Sequence, residues 1–154
     1  MFVAFKTSGN LILIFREYEQ FVNREIIDSE TEIVNKADIM RYELVYKFGG
    51  IYSDIDSWAI KPLSEFEQLQ HSFLSLKHNP QSYIENCIFG FPAGSSFLHN
   101  VLINVKTQVK LAEERGQAGY LPPPVKYGPL YITSVLVCCV ISEKLLKKVH
   151  RDCS

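Results

Sequence analysis

The sequence lacks several features that would assign it to a specialised class of protein. Lys and Arg total 16 against 17 Asp and Glu, so no basic excess favours nucleic-acid binding. The longest apolar run, residues 135–141, is far below the ~18 residues that suggest a membrane-spanning helix. The four cysteines form no Cys-x-x-Cys pair, which favours buried or free thiols over a zinc site and leaves a disulfide as the alternative. No glycine-rich phosphate-cradling loop is present.

What is present is typical of one globular domain of 154 residues, 47% of them hydrophobic and 21% charged. Apolar periodicity predicts strands and helices in alternation. The predicted strands are 11–15, 51–56, 72–76 and 86–91, and the predicted helices are 17–27, 36–48, 64–70, 96–114 and 129–141. This order indicates an α/β fold with a mostly parallel sheet flanked by helices.

The helix predicted at 36–48 carries a polar pair. Residues three apart are neighbours on a helix, so Asp38 and Arg41 present a carboxylate and a guanidinium from one face. Together they offer acceptors and donors for the hydroxyl groups of a sugar. Gly49 and Gly50 then end the helix and turn the chain into the next strand, which brings the polar faces of both elements together.

Two carboxylates follow the glycines. Residues two apart share one face of a strand, so Tyr52, Asp54 and Asp56 are expected to line up. Aligned carboxylates suit Mn²⁺ or Mg²⁺, whose remaining positions are filled by water and phosphate oxygens. Such a metal would neutralise a departing diphosphate. Sugar and diphosphate together indicate a nucleotide-sugar site.

Simpler interpretations compete with this one. Asp38 and Arg41 also fit a surface ion pair worth about 0.2–0.5 kcal/mol. A calcium loop beginning at Asp54 fails because Ala59 stands where the loop requires glycine. A metal-dependent hydrolase of phosphate esters would need further Asp or His ligands, and no spacing in the sequence shows them. Tyr42 and Tyr46 are expected to pack in the core.

The whole segment reads Asp38-x-x-Arg41-Tyr42-x-x-x-Tyr46-x-x-Gly49-Gly50-Ile51-Tyr52-x-Asp54-x-Asp56. In this form it resembles the sugar-binding region of the DXD-motif glycosyltransferases. That family includes yeast-type initiating α-mannosyltransferases, α-1,4-galactosyltransferase-like enzymes and capsular polysaccharide transferases. The resemblance extends over about 36–133, through Lys61-Pro62-Leu63, Asn86-x-x-x-Gly90 and Gly128-Pro129 with Thr133.

The resemblance implies a GT-A-like nucleotide-sugar transferase fold. It also implies a metal-dependent, retaining transfer of a hexose from a nucleotide-sugar donor to an acceptor hydroxyl on a glycan, lipid or protein. The catalytic residues that it implies are Asp38, Arg41, Asp54 and Asp56. The implied donor-sugar contacts are Asp38, Arg41, Tyr52, Asp54 and Asn86. The implied ligands of Mn²⁺ or Mg²⁺ are Asp54 and Asp56, with Asp56 the principal ligand.

Two features of the family have no counterpart here. Nothing in 1–35 matches the nucleotide-binding strand with its His-x-x-Trp-like run, and His150 does not match the C-terminal segment that completes the metal site. We therefore expect 1–154 to be one partial domain, incomplete at both ends. The alternative is a truncated or degenerate paralogue that at most binds nucleotide sugar. The chain as written is expected to be cytoplasmic, and Golgi or membrane-anchored if it belongs to a longer protein.

Overall fold

The structure is a computed structural model that describes residues 18–54, 56–58, 60, 72–77, 82–114 and 123–152, with backbone alone at 111–113, 123–124 and 143–152. A 3-10 helix (Tyr18–Gln20) comes first. It is followed by α1 (Arg24–Ser29), α2 (Ile33–Phe48), β1 (Gly50–Ser53), β2 (Phe73–Lys77), β3 (Tyr83–Phe91), α3 (Ser96–Glu114), α4 (Pro123–Lys126) and α5 (Pro129–Asp152).

The described strands form one antiparallel sheet in the order β1–β3–β2. The prediction of a mostly parallel sheet is therefore wrong for the described part of the chain. Only residues 78–82 separate β2 from β3, whereas a parallel connection needs a dozen or more residues, so these neighbours pair in the antiparallel sense. The α/β class is confirmed, because α2 and α5 pack on β3 and α3 packs on both helices.

Helix α2 begins earlier than predicted and ends where predicted. It starts at Ile33, three residues before the predicted start, and Asn35 is buried inside its first turn. Gly49 follows the helix with a φ of 67°. A Cβ at Gly49 would lie 2.7 Å from the backbone nitrogen of Ala93, so only glycine fits the close approach at this turn.

The other predicted elements agree with the structure to different degrees. Helix α3 has the predicted bounds. The helix predicted at 17–27 is divided into the 3-10 helix and α1, and α5 continues beyond its predicted end. The predicted strand 11–15 and helix 64–70 lie outside the described residues.

The core lies between the sheet and helices α2, α3 and α5. At its centre, the ring of Phe89 on β3 lies 5.7 Å from the ring of Tyr42 and 5.4 Å from that of Tyr52. Buried aliphatic side chains surround these rings: Ile39, Leu44, Val45, Leu98, Val101, Leu102, Val105 and Ile132. This packing fixes α2 against β1 and holds the end of β1 beside the polar face of the helix.

The described residues bear on two features that the sequence analysis considered, membrane-spanning helices and the state of the cysteines. No helix among them is both long enough and apolar enough to cross a membrane. Three of the four cysteines lie in this part of the chain, and Cys87, Cys138 and Cys139 are free thiols, as expected.

Candidate functional site

The Asp-x-Asp pair lies beyond the end of strand β1, which stops one residue before Asp54. The Asp54 N–H still donates to the Cys87 carbonyl at 2.8 Å, but the Ser57 N–H then donates to the Asp54 carbonyl at 3.0 Å. This turn interrupts the two-residue alternation of the strand. The prediction that Asp56 shares a strand face with Tyr52 and Asp54 is therefore wrong.

Arg41 connects helix α2 to the end of β1 and to β3. Its Nη2 lies 3.1 Å from Asp38 Oδ1, and its Nη1 lies 3.3 Å from Asp54 Oδ1. Nη1 also donates to the backbone carbonyl of Asn86 at 2.7 Å. The side chains of Arg41 and Asp38 are only 7% and 6% exposed, which excludes a surface ion pair. The fork of donors on one guanidinium thus joins three elements.

Tyr52 lies against the same guanidinium. The Arg41 Cζ is 4.5 Å from the centre of the Tyr52 ring, a cation–π contact. The Tyr52 hydroxyl donates to the Asp54 carboxylate. Burial, followed by this hydrogen bond, raises the pKa of Tyr52, so the phenol remains a donor at neutral pH. Asp54 is therefore held by two donors.

Asn86 lies on β3 where the pairing of this strand with β2 is irregular. The register changes between Leu74 and Ser75 of β2, so that residues 86–88 of β3 have no partner on that side. Bulges interrupt the ladder and re-aim side chains, and they are common beside binding sites. The backbone carbonyl of Asn86 accepts the guanidinium hydrogen bond, and its Nδ2 donates to Asp38 Oδ1 at 2.8 Å.

Asp38 is the most buried carboxylate of the group. Burial raises the pKa of Asp38 above its usual value, although the Arg41 charge and the Asn86 hydrogen bond oppose the rise and Asp54 adds to it. Asp38 therefore binds a proton at higher pH than an exposed aspartate does. Its charge depends on the other members of the cluster.

Asp56 does not join this cluster. It is exposed in the turn after Asp54, and none of the hydrogen bonds or ion pairs among the described residues involves it. The described residues contain no group of three or more His, Cys, Asp or Glu arranged to hold a metal ion. The open carboxylate of Asp56 and the 25% exposed side chain of Asp54 still fit a cation that takes its other ligands from water and phosphate.

Tyr42 contacts the site, although the sequence predicted only core packing for it. It is fully buried, as predicted. Its hydroxyl accepts from Asn86 Nδ2 at 3.1 Å and donates to the Tyr127 carbonyl at 2.9 Å. The sequence signal was its position four residues after Asp38, which places both side chains on one face of α2.

Comparison with known proteins points to the same segment. Residues 6–80 match the family described as glycosyltransferase sugar-binding region containing DXD motif. Inositol phosphoceramide mannosyltransferase 3 of Schizosaccharomyces pombe is 33% identical over 92 residues, covering 60% of this chain and 24% of the relative. The solved structure of PaToxG glycosyltransferase matches 95% of this chain and 50% of its own, with a TM-score of 0.52 and 19% identity.

The structural match defines the fold as one found in a glycosyltransferase. The family match then confirms the resemblance: residues 6–80 match the model of the DXD-motif glycosyltransferase family. Asp38, Arg41, Asp54 and Asp56 lie within that segment, whereas Asn86 lies beyond it. The matched residues span about a quarter of the S. pombe relative and half of the PaToxG chain.

Proposed function

We propose that this chain forms the donor site of a GT-A-type glycosyltransferase that transfers a hexose from a nucleotide sugar to an acceptor hydroxyl. The observation that carries the proposal is the buried cluster at the end of β1, in which Arg41 joins Asp38 to Asp54. The family match includes all three residues and supports the same class of reaction.

In this proposal the cluster fixes the donor sugar. Asp38 and Arg41 accept from and donate to hexose hydroxyls, while Asp54, held by Tyr52, contacts the donor beside them. Because Asp38 and Arg41 are largely buried, each presents only its outermost atoms, which favours a single orientation of the sugar. Asn86 uses Nδ2 within the protein, so its contact with the donor would be through Oδ1.

Our proposals for the donor sugar and for the acceptor rest on the relatives and on the family resemblance, and not on the geometry of the site. The S. pombe relative is named as a mannosyltransferase, and mannose is a hexose. We therefore propose a hexose donor and an acceptor hydroxyl on a glycan, lipid or protein. We also propose that the anomeric configuration is retained, as the family resemblance implies.

Asp56 and Asp54 would hold a divalent cation, Mn²⁺ or Mg²⁺. When bound, the cation supplies Lewis-acid stabilisation of the diphosphate leaving group. The Asp54 carboxylate already accepts hydrogen bonds from Arg41 and Tyr52, whereas Asp56 is open. Asp56 is therefore the principal ligand in this proposal, and Asp54 is the second.

A second candidate is a module that binds nucleotide sugar without catalysis. The observation that favours it is the pairing of Asp54: the Arg41 charge and the Tyr52 hydroxyl offset its negative charge and weaken its attraction for a cation. One fully open carboxylate is a weak site for Mg²⁺ or Mn²⁺ by itself. Such a module would still bind the sugar through Asp38 and Arg41.

Calorimetry and donor turnover on the 154-residue chain test the proposal. UDP- and GDP-hexoses are titrated with and without Mn²⁺, and hydrolysis of the donor is followed in parallel. We expect one donor to bind and to be hydrolysed slowly when Mn²⁺ is present. Asp56→Ala should abolish this turnover, because it removes the open carboxylate.

Glu114→Ala is the matched control, since it removes an exposed acidic side chain at the end of α3, away from the site. Its turnover should equal that of the wild type. Unchanged turnover in Asp56→Ala would contradict the metal assignment. Binding without turnover in the wild type would support the non-catalytic module, and no binding of any donor would reject both candidates.

A further inference from the structure

The buried hydroxyl of Tyr42 has a fixed direction of hydrogen bonding. A phenol hydroxyl has one hydrogen to donate. That hydrogen goes to the backbone carbonyl of Tyr127, 2.9 Å away, because a carbonyl can only accept. Toward Asn86, 3.1 Å away, the same hydroxyl can therefore act only as an acceptor.

This direction determines how the Asn86 side chain is oriented. The NH₂ group, and not the oxygen, must face Tyr42, and its other hydrogen points at Asp38 Oδ1, 2.8 Å away. With an acceptor on each hydrogen, the plane of the Asn86 amide is fixed. Asp38 Oδ1 then receives Asn86 Nδ2 together with Arg41 Nη2.

The far end of this chain of hydrogen bonds is anchored to the start of α5. Tyr127 comes two residues before that helix begins at Pro129. Thr133, one turn into the helix, accepts from the Ile84 N–H at 2.9 Å and donates to the Pro129 carbonyl at 2.7 Å. Helix α5 is thus tied to β3 shortly before the bulge that carries Asn86.

We propose that Tyr42 is a positioning residue that orients Asp38 through Asn86, with the turn before α5 as its anchor. The proposal rests on the proposed function, because Asp38 is assigned there to the donor sugar. Core packing alone would require only the ring, whose contact with Phe89 a phenylalanine would preserve. The hydroxyl is the part that the positioning role requires.

Tyr42→Phe removes this hydroxyl and keeps the ring. The matched control is Tyr46→Phe, one turn further along α2. The Tyr46 ring packs 5.8 Å from the His99 ring, and its hydroxyl forms no hydrogen bond among the described residues. Both variants lose one oxygen atom from the same helix, so a difference between them reports the hydrogen bonds of Tyr42.

Two measurements on Tyr42→Phe test the positioning role. NMR titration of the Asp38 carboxyl carbon should show a higher pKa in Tyr42→Phe, because a less well-held Asn86 amide stabilises the carboxylate less. Calorimetry with the nucleotide-hexose and Mn²⁺ should show an affinity about tenfold weaker, equivalent to one hydrogen bond. Tyr46→Phe should match the wild type in both.

An Asp38 titration in Tyr42→Phe identical to that of the wild type would overturn the positioning role, even if the variant were less stable. If the wild type binds no donor, the proposed function fails, yet the titration still decides between positioning and packing. A shifted titration with no donor binding in any variant would support the chain of hydrogen bonds and reject the donor site.

Discussion

At Arg41 one positive charge lies between two carboxylates, in a place where water is largely excluded. Removing such charges from water is unfavourable. Buried ion pairs therefore often add no more to the stability of the fold than apolar side chains of similar volume would. Here the guanidinium also donates to the Asn86 carbonyl and lies over the Tyr52 ring. The arrangement defines the positions of Asp38 and Asp54 closely, as the proposed donor site requires.

The raised pKa of Asp38 predicts a pH dependence with a definite sign. A carboxyl whose pKa is higher in the folded than in the unfolded state stabilises the fold below its unfolded pKa, about 3.9, and this contribution is lost as the pH rises through the folded pKa. The free energy of unfolding of Asp38→Asn should therefore rise relative to that of the wild type as the pH increases over that interval. The total rise should be about 1.4 kcal/mol for each unit by which the folded pKa of Asp38 exceeds the unfolded pKa.

Urea unfolding at a series of pH values measures this difference in the free energy of unfolding. The control is Glu114→Gln, which neutralises an exposed carboxylate and should show a nearly constant difference. The free energy of unfolding of Asp38→Asn relative to the wild type could instead fall with rising pH. This would mean that the ion pair with Arg41, and not burial, determines the direction of the pKa shift of Asp38.

At the scale of elements, the parts that the sequence predicted depend on local signals. Helix α3 follows from the periodicity of its apolar residues, and the end of α2 follows from Gly49. The bulge at 86–88 and the stop of β1 before Asp54 depend on how distant strands pair, which no local pattern encodes. The proximity of Asp38 to Asp54 was predictable, whereas the separation of Asp56 from them was not.

The turn between α2 and β1 gives a prediction about stability. Gly49 has a φ of 67°, and a Cβ there would lie 2.7 Å from the Ala93 nitrogen, whereas Gly94 has a similar φ of 70° with nothing within 4 Å. Gly94→Ala should thus lose about 1 kcal/mol from backbone strain alone. Gly49→Ala should lose about 2–4 kcal/mol, since strain and collision add.

Urea unfolding of the two glycine variants is the measurement. Gly49 also has a ψ of −174°, which with its positive φ is a conformation essentially confined to glycine. The loss at Gly49 in excess of that at Gly94 therefore reports the backbone conformation and the close approach of the chain at Ala93 together. Equal losses would mean that the backbone around Ala93 shifts at little cost, and that glycine at position 49 does not set the angle between α2 and β1.

At the scale of the whole molecule, the site lies where α2, β1 and β3 meet, and α5 supports it from behind. Asp38, Arg41, Asp54 and Asp56, to which the proposed function assigns the donor and the cation, fall within 38–56, which is why a sequence motif could identify them. Their support extends to Tyr127, whose carbonyl accepts a buried hydrogen bond from Tyr42, and to Thr133, whose hydroxyl accepts a partly buried one from the Ile84 N–H. A site assembled from segments so far apart in sequence forms only when the fold as a whole is intact.

A ligand bound at this junction should therefore stabilise the whole chain. With a nucleotide-hexose at 100 times its Kd in the presence of Mn²⁺, linkage adds about 2.7 kcal/mol to the free energy of unfolding. At about 2–4 °C per kcal/mol for a chain of this size, the Tm should rise by about 5–10 °C. Thermal unfolding followed by circular dichroism measures the shift with Mn²⁺ alone, with donor alone and with both.

Asp56→Ala should lose the part of this shift that requires Mn²⁺ and keep the part due to donor alone, since Asp38 and Arg41 are unchanged. Glu114→Ala should behave as the wild type. If Asp56→Ala keeps the full shift with both ligands present, the cation binds elsewhere and the exposed carboxylate after β1 has no part in holding it. If instead the shift with donor alone is lost as well, Asp56 contacts the donor directly. The assignment of the sugar to Asp38 and Arg41 and of the cation alone to Asp56 is then wrong.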